Sequence, residues 1–318
     1  MNKQITPTTR QFQDMFCTLC QHNSFKALFH GSDLLHGRPG DFWVLECESC
    51  GLFSLYPRPN PDQLSEFYPT NYISFPKAIE DEKSFIRRLD RSYGLEKRCR
   101  EIIHCAGKKG RILDVGCATG IFLNGMSQRG WDCQGVEPSA YAANYARERF
   151  RLNIFEGYLE DLDFPGEWFD VITMWDVLEH IPNPDEVLEK VGHLLKRDGW
   201  FVLSLPNAES WERYIFKEYW AGWDVPRHFH IFTPGTITKL LNSRGFKVEG
   251  IRSFTGRHGV LVLNFQFLMA NWKAPTRVKQ TLLAMIRSLF ARVLTYPYYT
   301  LADARNKSSI MTVFARKL

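Results

Sequence analysis

The chain reads as an α/β protein, a mostly parallel sheet with helices on both faces, preceded by a small cysteine-rich module. Three observations predict this. Short apolar runs alternate with helical patterns from Arg111 onward, a glycine-rich bend follows the first of those runs, and two C-x-x-C pairs stand near the N-terminus. A length of 318 residues suits one large domain and one small one, and 44% apolar against 24% charged residues excludes a disordered or fibrous chain.

Cys17 and Cys20 lie in FCTLCQH, and Cys47 and Cys50 in LECESCGL, with 26 residues between the pairs. Two such knuckles bring four thiolates onto one tetrahedral ion, so residues 1–60 read as a zinc ribbon with a strand at Phe42–Leu45. Four sulfur ligands leave no open position, which makes the expected zinc structural; the alternative is four unrelated thiols. A module of ~60 residues with so few apolar side chains needs a staple of this kind. Residues 61–106 follow as linker and N-terminal helices. Pro57, Pro59 and Pro61 alternate as a stiff connector, and Phe85, Ile86, Leu89, Leu95, Ile102 and Ile103 recur as one or two helices. Tyr68 and Tyr72 are placed by position to lie over a ligand as a lid.

In residues 107–318, Arg111–Val115 is a strand and Ile121–Arg129 its following helix. Asp132–Glu137 is the next strand, and Ala140–Arg149 a helix capped by Ser139. Val171–Trp175 is a strand. Pro184–Leu195 is a helix with Val187, Leu188, Val191 and Leu194 on one face, capped by Asn183 and closed by Gly199. Trp200–Leu205 is a buried strand, Thr233-Pro234 opens a helix that stops at Gly245, and Phe246–Arg252 and Ile310–Ala315 finish as strands. Between those last two strands lies an insertion over residues 256–308.

The sharpest segment is LDVGCATGIFL, Leu113 to Leu123. Glycines at 116 and 120 let the backbone approach a ligand, and the N–H groups of the helix that follows can bind an anionic group. Glu137 ends the next strand about 20 residues on, where a carboxylate can accept two ribose hydroxyls. Bend and acid together point to an adenosine-containing cofactor.

LDVGCATG, GVEPS, EGYLEDLDFPGEWFDVITMWDVLEHIPNP and LLKRDGWFVLSLPN, in that order, resemble class I S-adenosylmethionine-dependent methyltransferases over roughly residues 111–252. The resemblance implies a Rossmann-like sheet of seven strands with the last antiparallel, and S-adenosyl-L-methionine across the strand ends. It implies that Asp114, Gly116 and Gly120 hold the methionine end and that Glu137 takes the ribose. Leu159, Glu160 or Asp161 would border the adenine, and Trp175 and Asp176 would lie beneath the methyl. Zinc ribbons precede this domain in some sugar C-methyltransferases, although the large C-terminal domain of those enzymes is missing here.

Asp176, Glu179 and His180 share one face if they form a helical turn, and two carboxylates with an imidazole can bind a divalent cation or act as a base. A similar E-x-x-E-H in ubiquinone-type O-methyltransferases and in small-RNA 3′-end methyltransferases holds a metal with a later histidine, which His228 or His230 would supply here. The plainer alternative is that Glu179 and His180 only shape the pocket. The aromatic stretch Trp211–Trp223 lines an acceptor site or belongs to the core.

Net charge is +5, unevenly spread: from Asn271 onward nine Lys and Arg face a single acid, while the remainder carries 31 basic and 34 acidic residues. A basic tail on a slightly acidic body suggests an anionic partner, and the basic amphipathic stretch Val278–Leu294 can rest on a membrane surface. A helical pair on the sheet or a homodimer interface are the alternatives. The strand Val171–Trp175 runs into MWDV without a motif for base amines, and the cysteine stretch is near neutral; both argue against nucleic acid. The expected acceptor is a small molecule, a glycan or a lipid-linked intermediate methylated on oxygen or carbon, with an RNA or protein acceptor as the alternative. No apolar segment follows the N-terminus, so the expected location is the cytoplasm, with peripheral contact at the inner face of the membrane.

Overall fold

The computed structural model describes residues 14–60, 63, 66–68, 75–254, 257–270 and 272–318. Tyr72 lies outside them.

Three strands, β1 (Phe25–Gly31), β2 (Phe42–Cys47) and β3 (Phe53–Tyr56), form an antiparallel meander. The expected strand at Phe42–Leu45 is thus the middle of three. Leu55 and Tyr56, just before the proline-rich connector, pair with Val44 and Trp43. A fourth strand, far along the chain, completes this sheet: β9 (His230–Ile231) pairs with Phe53 and Ser54 of β3. The cysteine-bearing segment therefore shares a sheet and an apolar core with the later chain, with Phe53, Leu55, Trp220, Trp223 and Phe229 packed together.

α1 (Phe85–Ala106) is a single helix, capped by the Ser84 hydroxyl and ended by Gly107 at φ 71°. The main sheet has the order β10-β11-β8-β7-β4-β5-β6. Its strands are β4 (Arg111–Val115), β5 (Asp132–Glu137), β6 (Asn153–Glu156), β7 (Phe169–Trp175), β8 (Leu195–Pro206), β10 (Phe246–Arg252) and β11 (Ile310–Lys317). β6, β5, β4, β7 and β8 pair in parallel, and β11 inserts antiparallel between β8 and β10. The seven-stranded expectation holds. Near-continuous apolar runs such as Val171–Met174 and Phe201–Leu203 are buried because helices cover both faces.

The helices between these strands are α2 (Ile121–Ser127), α3 (Ala140–Phe150), α4 (Pro184–Leu194) and α6 (Pro234–Ser243), with the short α5 (Trp211–Phe216) after β8. Two local expectations fail. Leu195–Gly199 is not the close of a helix: Leu195 already pairs with Phe169, because the strand pulls these residues into the sheet. Asn183 does not cap α4 through its side chain, which donates instead to Glu186 Oε1.

The insertion is three helices, α7 (Arg257–Ala270), α8 (Thr276–Arg287) and α9 (Leu289–Ala304). The amphipathic stretch Val278–Leu294 breaks at Ser288, which caps α9. α7 packs on α5 and the loop after it rather than on the sheet. Phe265 meets Phe216 at 5.1 Å, and Asn264 bridges Glu212 Oε2 and the Ala221 N–H at 2.7 Å each.

Candidate active site

Strand order reverses at β4, with β5 on one side and β7 on the other, so a crevice opens beyond the C-terminal ends of these strands. The predicted bend sits there. Gly116 has φ 69° and Gly120 φ 75°, a region that side chains rarely adopt, and a Cβ on Gly116 would stand 2.6 Å from Val177. The N–H groups of Gly116 and Cys117 are both tied to Val136 O at the end of β5.

Glu137 is buried at the tip of β5, where its two oxygens accept the Ala118 N–H at 2.9 Å and the Ser139 N–H at 2.8 Å. Each oxygen keeps a lone pair for a further donor such as a ribose hydroxyl. Asp114 is buried under the bend and accepts from Thr173 Oγ1 at 2.6 Å. Burial pushes its carboxyl up to about 7, only partly opposed by the Thr173 hydroxyl and the Arg98 charge. An ammonium group brought into this crevice would supply the charge that Asp114 lacks. The bend, the acid at the adjoining strand tip and the undercompensated Asp114 thus fit an aminoacyl nucleoside.

Trp175 ends β7, edge-on to Phe122 at 5.2 Å, with the Arg98 guanidinium 5.3 Å above its ring. Asp176 follows at φ 58°, exposed, and takes the Ser204 hydroxyl at 2.9 Å and the Ser204 carbonyl on its own N–H at 3.0 Å. Leu159 is buried, whereas Glu160 and Asp161 stand exposed on the rim.

Beyond Asp176 a single turn, Leu178–His180, carries the titratable cluster. Ligand atoms of Glu179, His180 and His228 lie within 4.8 Å of one another. Glu179 is fully buried, neither of its oxygens has a hydrogen-bond partner, and burial drives its pKa well up. The ring nitrogens complete the arrangement. His180 Nδ1 lies 3.0 Å from the Arg227 carbonyl and 2.9 Å from the Tyr68 hydroxyl, and His228 Nδ1 lies 2.9 Å from the Gly222 carbonyl. Carbonyl partners make each Nδ1 the protonated nitrogen, so both rings present a bare Nε2. Burial lowers the pKa of both imidazoles, that of His180 to about 3. Two neutral imidazoles oriented by carbonyls beside an unpartnered carboxylate suit a divalent cation.

Two expectations change here. His230 does not join the cluster: it is fully buried on β9, with Nε2 3.3 Å from the Pro182 carbonyl, because pairing with β3 holds it in the seam between the two sheets. Asp176 is also outside the ligand group, since Ser204 turns its carboxylate toward β8.

The support of His180 carries no signal in the sequence. Arg227 is fully buried and reaches Asp33 Oδ1 at 2.9 Å and Asp224 Oδ1 at 2.6 Å, so the loop after β1 anchors the backbone that orients His180. Tyr68, placed by position as a lid residue, contacts His180 directly.

The four thiols converge as predicted. Cys17 Sγ is 3.5 Å from Cys50 Sγ and Cys20 Sγ is 3.5 Å from Cys47 Sγ, with all four sulfurs within 4.8 Å of one another. These separations are too long for disulfides and close to those of sulfurs held ~2.3 Å from one tetrahedral ion.

Comparison with known proteins agrees with this geometry. Residues 89–250, just over half of the chain, match the family model described as a methyltransferase domain. The chain belongs to that family. It is 29% identical over 173 residues to the ubiquinone biosynthesis O-methyltransferase of Azoarcus sp. (strain BH72), covering 48% of this chain and 70% of the relative. It is 31% identical over 173 residues to the protein of the same name from Thiobacillus denitrificans, covering 47% and 69%. Among solved structures, a SAM-dependent methyltransferase from Archaeoglobus fulgidus aligns over 70% of this chain and 93% of its own, with 19% identity and a TM-score of 0.48. The chain is an S-adenosylmethionine-dependent methyltransferase.

Proposed function

We propose that this methyltransferase acts on a hydroxyl oxygen of a small-molecule acceptor, with a divalent cation at Glu179, His180 and His228 and a structural zinc at Cys17, Cys20, Cys47 and Cys50. The buried, unpartnered Glu179 carboxylate between two bare imidazole nitrogens carries the reading. A carboxylate in that position is costly unless a cation joins it. The naming of the relatives as O-methyltransferases supports the choice of oxygen. The division into a cysteine module before residue 60, a connecting segment, and a catalytic domain from 107 belongs to the same proposal.

When bound, the sulfonium cofactor supplies an activated methyl group. Gly116 and Gly120 would leave room for its amino-acid end, Asp114 would face its ammonium, and Glu137 would take its ribose hydroxyls. The buried Leu159 would border the base, with the exposed Glu160 and Asp161 beside it, and Trp175 and Asp176 would lie beneath the methyl. Positioning of this kind can provide ~7–11 kcal/mol of the barrier reduction. At the cluster, a cation would lower the pKa of an acceptor hydroxyl and fix its oxygen. The chain's own part is to hold both imidazoles in one tautomer, through the Arg227 and Gly222 carbonyls, and to keep Glu179 out of water.

The test is metal analysis of the full chain together with methyl transfer to a panel of phenols, catechols and amines. The expected result is a second bound divalent ion, lost in Glu179→Ala together with transfer to hydroxyls, while the thiolate-bound zinc remains. Transfer that survives chelation but is lost in His180→Gln would instead make His180 Nε2 a base. Methylation of amines alone would overturn the choice of oxygen.

A further inference from the structure

The insertion presents an apolar face that nothing within the described chain covers. Along α9, Phe290 is 76% exposed, Leu294 69% and Val293 66%, and from Leu289 to Leu301 the only charged residue is Arg292. These side chains point outward because the opposite side of the helix, at Tyr299 and Ala302, is the buried one. Arg292 does not interrupt the face. Its Nη1 reaches Asp90 Oδ1 at 2.9 Å and ties α9 to α1, where Phe85, Leu89 and Tyr93 are likewise more than half exposed. The two helices therefore offer neighbouring apolar surfaces.

Charge decides what can cover them. The chain from Asn271 onward carries nine basic residues and one acid, and Arg277 and Arg287 on α8 are exposed. A second copy would bring the same excess of positive charge against it. An anionic partner would be attracted. An apolar face on α9 without an exposed acid, in a basic stretch of the chain and with Asp90 of α1 paired to Arg292, is the arrangement of a helix lying in the plane of a bilayer interface. Among the described residues no helix is long and apolar enough to cross a membrane, so the contact is peripheral.

We propose that the outer face of α9, with the start of α1, docks on the surface of an anionic lipid bilayer. A groove of about 490 Å³ between α7 and α8 is lined by Phe265, Leu268, Met269, Trp272 and Tyr219. Tyr219 also borders a second cavity, of about 210 Å³, which reaches Asp224. Asp224 Oδ2 is 3.8 Å from His228 Nε2, so this second cavity borders the histidine cluster.

The test is co-sedimentation of the full chain with vesicles of phosphatidylcholine alone and of phosphatidylcholine mixed with phosphatidylglycerol. It is read without turnover, so it stands apart from the choice of acceptor. The expected result is binding to the anionic vesicles only, weakened about tenfold or more by high salt and by Phe290→Glu with Leu294→Glu. Both side chains are largely in solvent, and unchanged affinity for S-adenosylhomocysteine would show that the variant folds; if it does not, Phe290→Ser and the salt series on the unaltered chain carry the test. No binding to either vesicle, or equal binding to both, overturns the proposal. So does a wild-type dimer in sedimentation velocity that the paired substitution dissociates, since the face would then belong to a second copy.

Discussion

Arg227→Met removes the guanidinium that Asp33 and Asp224 share. The side chains of Arg227 and Asp33 are fully buried and that of Asp224 nearly so. Breaking a buried pair from one side costs about 3–5 kcal/mol, because the remaining charge stays out of water without its partner. Part of that charge remains supported here. Asp33 still accepts the Leu35 and His36 N–H groups at 3.1 Å. The expected loss is therefore near the lower end, about 3–4 kcal/mol. At ~2.1 cal/mol/K of unfolding entropy per residue, a chain of this length should melt roughly 5 °C lower. Calorimetry and urea unfolding followed by tryptophan fluorescence would measure it. Adding Asp33→Asn to Arg227→Met should recover part of the loss, since it neutralises one of the stranded carboxylates. A melting temperature within about 1 °C of wild type, or a second full loss on adding Asp33→Asn, would refute the account of this triad.

Two further outcomes are expected. Cys17→Ser should lower bound zinc from one equivalent to near none and cost several kcal/mol of stability, since binding to four thiolates is coupled to folding; a fully folded zinc-free variant would contradict it. Asp170 accepts from Lys196 Nζ at 2.7 Å and the Arg111 N–H at 2.8 Å, and these outweigh its partial burial to hold the carboxyl below its usual range. Because its folded pKa is depressed, its stabilisation is present above the unfolded value and is lost as pH falls through the folded one. Asp170→Asn should therefore cost about 1 kcal/mol near neutral pH and flatten the fall in melting temperature between about pH 5 and pH 3. An unchanged acid limb would remove Asp170 from that role.

Elements with strong local signals are legible in the amino-acid sequence. Strands buried on both faces announce themselves as apolar runs, and the Gly116–Gly120 bend is readable because only glycine tolerates its backbone angles without strain. β5 and β10 match their expected ranges residue for residue. The four thiols can be assigned to one site because C-x-x-C spacing is itself a geometric constraint. The identities of Glu179, His180 and His228 are also visible as residue types suited to one chemistry.

Selection among those candidates comes only with the tertiary fold. His228 and His230 stand two residues apart, yet one joins the cluster and the other is held in a seam between sheets by pairing with β3. Nothing local distinguishes them, because the difference is made by Phe53 and Ser54, more than 170 residues earlier. The same holds for Arg227, whose partner Asp33 is 194 positions away, and for Tyr68, 112 positions from the imidazole it contacts. A pattern along the chain reports a residue's own backbone preferences and its near neighbours. Which distant groups satisfy a buried charge or orient a ring is decided by how the sheets close on one another, and here that closure brings two histidines and a glutamate together.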